Sequence, residues 1–305
     1  MIPTAFLILA HQQPRLLGRL ARRLGAPGTH IFIHVDARAP LEDFKAAVGD
    51  GPDHTFLEAP DRLAPYWGGF TMVEATQRLL RRAFAAPATF ERFFLLSGVD
   101  YPIKPIGEIG RALEGDVEIL QVDRQLVQDG TGPFDRCANQ LFLGDSAILN
   151  SRTGAPVLRN AARFFERATR RRWPAGLRIY QGPSWWCLTR DAVSAFLDVW
   201  DEPDSYIPWF RLSRSPAEMV FQTVLAASAR RDHIKRDFTR VERPPGEDFV
   251  QGAHYVDWRA PRRKAPVTLR LGDLPALLAS EALFARKLDL VQSAGLMDAL
   301  DAVHG

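Results

Sequence analysis

Cysteine is scarce: only Cys137 and Cys187 occur in 305 residues. Two such positions make neither a zinc-ligand spacing nor a disulfide framework, and the scarcity fits a reducing compartment. No apolar run reaches the ~18 residues needed to span a bilayer. The N-terminal run Phe6–Ala10 has no basic flank and is broken by His11-Gln12-Gln13-Pro14, so a first strand is expected there, not a signal peptide, and a cytoplasmic protein with it. No glycine-rich dinucleotide fingerprint or Walker loop follows any apolar segment, which argues against a dehydrogenase or a P-loop ATPase. The Asp-x-Asp pair with which many nucleotide-sugar transferases hold a divalent cation is absent as well, and no metal cluster is visible. A net charge of +3 is too small to imply nucleic acid, though it suits an anionic ligand or an anionic membrane surface.

What is present is 46% hydrophobic residue content, enough to bury a large core. The run Phe93-Phe94-Leu95-Leu96 reads as a strand buried on both faces, stopped by Ser97-Gly98-Val99-Asp100-Tyr101-Pro102. Before it, strands are expected at Phe6–Ala10, His30–Val35 and His54–Leu57, and helices at Pro14–Leu24, Leu41–Val48 and Phe70–Phe84. A helix at Ile106–Leu113 and a strand at Glu118–Val122 follow. This alternation predicts an α/β protein with a mostly parallel, doubly wound sheet in a single domain, residues 1–305. Residues 1–125 carry this alternation and form one half of the domain, and residues 126–305, where the pattern loosens, form the other. Later helices are expected at Val157–Arg172, Asp191–Trp200, Pro216–Ser228 and from Leu274 onward, with strands at Trp185–Leu188 and at residues 253–257 and 267–271.

His11, Asp36 and Asp100 each end a predicted strand, and in a parallel sheet all three would emerge at the edge where ligands bind. Asp36 suits a nucleoside hydroxyl or N–H, or else it caps the helix at Leu41. His11 is a turn residue unless that geometry makes it a ligand. Without a metal, charge on a departing diphosphate falls to fixed cations, and Arg259, Arg262, Arg263, Lys264, Arg270, Arg286 and Lys287 supply candidates. Glu218 stands three residues after Ser215, either as half of a capping box or as a rigidly held general base. Trp67, Trp185 and Trp186 offer faces for sugar stacking or fill the core, and Tyr101 helps shape the pocket. The arginines at 163, 167, 170, 171 and 172 form a solvated face or contact an acidic acceptor or anionic lipid.

Taken in order, His30-Ile31-Phe32-Ile33-His34-Val35-Asp36, the Leu95–Lys104 turn, Gly182-Pro183-Ser184-Trp185-Trp186, the Glu218 segment with Phe221-Gln222-Thr223, Tyr255-Val256-Asp257-Trp258 and Asp273–Lys287 resemble the branching-enzyme glycosyltransferases. That family holds the core-2 and I-branching β-1,6-N-acetylglucosaminyltransferases and the peptide O-xylosyltransferases, and the chain looks most like its bacterial members. The resemblance implies a glycosyltransferase-A-like fold and metal-independent transfer, with inversion, from a UDP-sugar to a glycan or peptide. No cofactor is implied beyond the donor. N-acetylglucosamine is the first candidate sugar and a cell-envelope or capsule glycan the acceptor. Xylosyl transfer and a non-catalytic UDP-sugar-binding relative are the alternatives. It also implies Glu218 as base, Asp36 on the nucleoside, and Lys287 with one of Arg262, Arg263 and Lys264 on the diphosphate. His11 and Asp100 would complete the donor site; Trp67, Trp185, Trp186, Tyr101 and Trp258 would meet the sugar or acceptor. Peripheral membrane contact is expected through residues 163–172.

Overall fold

The β-forming residues at the centre of the sheet alternate between two cores. In a computed structural model, which describes residues 2–150, 156–244, 249–258 and 265–304, Phe93 and Leu95 point to one face of the sheet and Phe94 and Leu96 to the other. All four are buried, as a strand covered by helices on both sides requires.

The strands are β1 (Thr4–Ala10), β2 (Thr29–Val35), β3 (His54–Phe56), β4 (Arg92–Ser97), β5 (Tyr101–Pro102), β6 (Glu118–Val122), β7 (Arg124–Gln125), β8 (Tyr180–Gln181), β9 (Cys187–Thr189), β10 (Ile234–Asp237), β11 (Val250–Gln251), β12 (His254–Val256) and β13 (Phe284–Arg286). The helices are α1 (Pro14–Leu24), α2 (Leu41–Val48), α3 (Thr71–Phe84), α4 (Ile106–Ala112), α5 (Asp135–Asn139), α6 (Ala147–Asn150), α7 (Pro156–Ala168), α8 (Arg190–Asp201), α9 (Val220–Ala226), α10 (Leu274–Ala279) and α11 (Ala294–His304).

The main sheet runs β10-β6-β9-β4-β1-β2-β3. Its pairings are parallel except those of β9, which is antiparallel to β4 and β6. The architecture is therefore α/β with a mixed, mostly parallel sheet. Because β1, β2 and β4 run together, His11, Asp36 and Asp100 do follow strands that end at one edge.

A second sheet, β11-β12-β13-β5, is attached through β5, which follows β4 directly. Here the sequence expectations fail. Residues 267–271 contain no strand, and the chain beyond Leu274 is not continuously helical, because β13 interrupts it. That strand is three residues long, too short for periodicity to reveal, and exists by pairing with His254–Val256 on one side and with Tyr101–Pro102 on the other. Its end delivers Arg286 and Lys287 to the sheet edge.

Candidate active site

Asp36 follows β2 and is nearly buried. Arg38 holds it in a fork: the Arg38 backbone N–H and Nε donate to Asp36 Oδ1 at 2.8 and 2.9 Å, and Nη2 donates to Oδ2 at 2.5 Å. Burial alone would raise the Asp36 pKa, but these hydrogen bonds outweigh it and hold the carboxyl below its ordinary value. It does not cap α2, whose N-cap is Pro40 with no side-chain cap. The imidazole of His11 is lowered, first by desolvation; Asp36 opposes that shift, while Lys287 and Arg38 add to it. His11, Asp36, Arg38 and Lys287 thus share one electrostatic neighbourhood, although Asp36 and Lys287 lie on different sheets.

Next to this group lies a buried ionic cluster. Asp100 is fully buried and accepts from the Ser97 N–H at 2.7 Å and the Ser97 hydroxyl at 2.6 Å. His254 Nε2 lies 3.2 Å and Arg286 Nη1 3.7 Å from its carboxylate. The Arg286 guanidinium stacks 4.0 Å from the centre of the Trp185 ring. Asp100 is therefore an internal anchor for the end of β13 and is not free to meet a donor, contrary to expectation. Burial pushes its pKa up, yet Arg286, His254 and Ser97 together bring it below the usual carboxylate value. Its stabilising contribution is thus complete above the unfolded value near ~3.9 and is lost as pH falls through the lower folded value. Asp100→Asn leaves the buried Arg286 without its counter-charge, and urea denaturation at pH 7 should show about 3–5 kcal/mol of lost stability. An unchanged midpoint would contradict the anchoring role.

Glu218 ends a 3-10 turn, Pro216–Glu218, and α9 begins only at Val220. Ser215 adopts a left-handed conformation, φ 53°, with no side-chain cap, so the expected capping box does not form. The Glu218 carboxyl is partly buried, and its pKa is raised to about 7, by burial first, with a hydrogen bond from Gln181 opposing the shift and the Asp123 charge adding to it. Gln181 Nε2 donates to Glu218 Oε2 at 3.4 Å, and the Gly182 N–H donates to the Glu218 carbonyl at 3.0 Å. A Cβ on Gly182 would stand 2.0 Å from the Gln121 carbonyl oxygen, so only glycine lets this loop lie on the end of β6. Neither Gln181 nor Asp123 stands in a recognisable motif, and their roles emerge only from this packing.

One loop joins the two sides. Gln181 touches Glu218 while Trp185 stacks on Arg286, the neighbour of Lys287. Four residues of chain span at most about 14 Å. Glu218 and the Arg286–Lys287 end of β13 are therefore tied to the two ends of one short loop.

The core-2/I-branching enzyme profile matches residues 4–278. The chain belongs to the core-2/I-branching enzyme family. It is 21% identical over 304 residues to the human beta-1,3-galactosyl-O-glycosyl-glycoprotein beta-1,6-N-acetylglucosaminyltransferase, covering 94% of this chain and 66% of that protein. It is 27% identical over 281 residues to the Arabidopsis thaliana beta-glucuronosyltransferase GlcAT14B, 90% of this chain and 59% of the relative. It is 26% identical over 269 residues to human xylosyltransferase 2, 83% of this chain and 28% of the relative. The chain thus spans a little under two thirds, or much less, of these relatives.

The remaining family-implied positions divide by burial. Trp186 is 0% exposed and packs on Phe221 with ring centres 4.7 Å apart, so it is core and not a sugar platform. Tyr101 is buried too; its hydroxyl donates to Asp301 at 2.7 Å and accepts from Arg19 Nε at 3.1 Å, which ties α1 to α11 and keeps it from the pocket. Trp185 is partly buried over Arg286, while Trp67 and Trp258 are exposed. Arg262, Arg263 and Lys264 lie outside the described residues.

Proposed function

We propose that the protein is an inverting, metal-independent glycosyltransferase of glycosyltransferase-A-like fold, moving N-acetylglucosamine from its UDP donor to a glycan hydroxyl of an envelope or capsule polysaccharide. The observation that carries this reading is Glu218, a carboxyl whose pKa of about 7 suits removal of a hydroxyl proton at neutral pH. Asp36 retains acceptor capacity for a nucleoside hydroxyl beside its pairing with Arg38, and Lys287 would meet the diphosphate. In this scheme the acceptor oxygen attacks the anomeric carbon as Glu218 takes its proton. The bond to the diphosphate breaks on the opposite face, and the electron pair leaves with UDP, its charge met by Lys287. Xylosyl transfer is the second reading, since one relative is named a xylosyltransferase.

Among the described residues, no three His, Cys, Asp or Glu side chains form a metal-ligand set, and no helix is long and apolar enough to cross a membrane. Contact of residues 163–172 with an anionic membrane surface belongs to the same proposal, supported by exposed Phe164 and Phe165, but without Arg171, whose guanidinium donates to the Ser213 hydroxyl at 2.6 Å and lies over the Trp209 ring. The test is UDP release from UDP-N-acetylglucosamine, UDP-xylose and UDP-glucose, with and without excess EDTA and phosphatidylglycerol vesicles. Release from the first donor should be undiminished by EDTA, and the protein should sediment with the vesicles. Loss of release in EDTA that manganese restores would overturn the metal-independent mechanism, and protein left in the supernatant would overturn the membrane contact.

A further inference from the structure

A cavity of about 600 Å³ has Arg136, Cys137, Arg163, Glu166, Arg167 and Arg214 in its wall. It adjoins Glu218. Arg214 immediately precedes the Ser215 turn that carries Glu218, and the Arg214 N–H donates to the Cys137 carbonyl at 2.9 Å. Burial raises the pKa of the Cys137 thiol, and the charge of Glu218 raises it as well.

The lining sets four guanidinium groups against one carboxylate. Glu166 is already engaged: its Oε1 accepts the Leu143 N–H at 2.8 Å, and Arg214 reaches Oε2 only at 4.0 Å. Among the described residues, Arg136, Arg163 and Arg167 have no carboxylate partner, whereas Arg231 and Arg243 elsewhere are paired with Asp237 and Asp123. The orientation of α7 adds a second observation. Arg163 and Arg167, four residues apart, share the face turned to the cavity, while Leu158, Phe164 and Phe165 are 52%, 70% and 59% exposed. Burial of apolar surface alone would rotate the helix the other way.

We infer that this cavity is the acceptor subsite and takes a glycan bearing a carboxylate or phosphate group near the hydroxyl that is glycosylated. The inference rests on the reading of Glu218 as base. Unpaired guanidiniums in a concave wall focus positive potential, and their forked donors match the paired oxygens of carboxylate and phosphate. The volume falls in the ~300–1,000 Å³ range of small-ligand pockets. A glycan is favoured over an acidic peptide because Trp67, 76% exposed, lies on the loop whose Gly68 carbonyl accepts the Ser215 N–H at 2.8 Å, and an indole suits the apolar face of a pyranose.

The test is titration of the protein, in the presence of UDP, with four probes at low salt: a hyaluronan tetrasaccharide, a 6-phosphorylated mannose pentasaccharide, neutral chitotetraose and a glutamate octapeptide. At least one acidic glycan should bind roughly ten-fold more tightly than chitotetraose, as expected for one or two charge-assisted contacts. The margin should vanish in Arg163→Ala/Arg167→Ala and in Arg167→Glu, with melting temperature retained. The carboxylate and phosphate arms identify which anion is preferred. Equal affinity for neutral and acidic glycans, a preference untouched by the arginine substitutions, or tighter binding of the peptide than of either acidic glycan would overturn the inference. A UDP-induced thermal shift on the same preparation separates the two levels: its absence defeats the transferase reading itself, while its presence without an acidic preference defeats only the subsite.

Discussion

Glu218→Gln should lower kcat by about 10²- to 10⁴-fold while leaving the affinity for UDP unchanged, because the side chain keeps its shape and loses only the ability to accept a proton. The parental enzyme should carry the signature of this group in its pH profile. Burial raises the Glu218 pKa to about 7, so kcat/KM for the acceptor rises with pH through that region as the base ionises, and the rise is missing in the glutamine variant. Stability provides the control. A carboxyl whose folded pKa lies above its unfolded value costs the fold nothing below the unfolded value, and the penalty grows as pH rises from there and is complete above the folded value. At pH 8 the variant should therefore melt at or above the parental temperature, which separates lost chemistry from lost structure. Turnover above about a tenth of parental would remove Glu218 from the role of base.

Lys287→Met is the second large effect. A single fixed donor aimed at charge developing on a leaving group contributes about 10²–10³-fold in kcat when water is excluded around it, and the methionine side chain retains the bulk without the charge. Lys287 shares its surroundings with His11 and Asp36, and its backbone carbonyl accepts the Leu269 N–H at 3.1 Å, so its approach to the edge is held by main-chain packing that the substitution leaves in place. The expected pattern is a loss in kcat together with weaker UDP binding, partly restored in Lys287→Arg. A kcat within a few-fold of parental would mean that charge on the departing phosphate is met elsewhere. If Glu218 and Lys287 act in one step, the double variant should lose little more than the worse single variant, since groups that work as a unit are not additive.

The two substitutions probe opposite sides of one loop, and that arrangement shows why the site was only partly legible in the chain. Asp36 could be picked out because it ends a strongly apolar strand, and such ends converge wherever strands run parallel. Glu218 could be picked out by its place at a helix start, but the sequence suggested a capping box where the backbone makes a left-handed Ser215 and a 3-10 turn instead. Asp100, Tyr101 and Trp186 carry the residue types that bind ligands, yet each is buried and used internally. Residue type alone does not separate a polar group that meets a substrate from one satisfied within the core.

The order of residues by itself determined the alternation of apolar strands and amphipathic helices in the first half of the chain, because burial on two faces, or on one, leaves a local and periodic trace. Elements such as α1 and α2 have in the fold the bounds that their pattern predicts. Only the tertiary structure decided that Phe284–Arg286 is a strand, that Arg286 belongs to a buried cluster with Asp100 and His254, and that the arginines of α7 face a cavity. Those outcomes depend on partners far away in sequence. Pairing and charge compensation across such distances leave no mark on the local pattern of either segment.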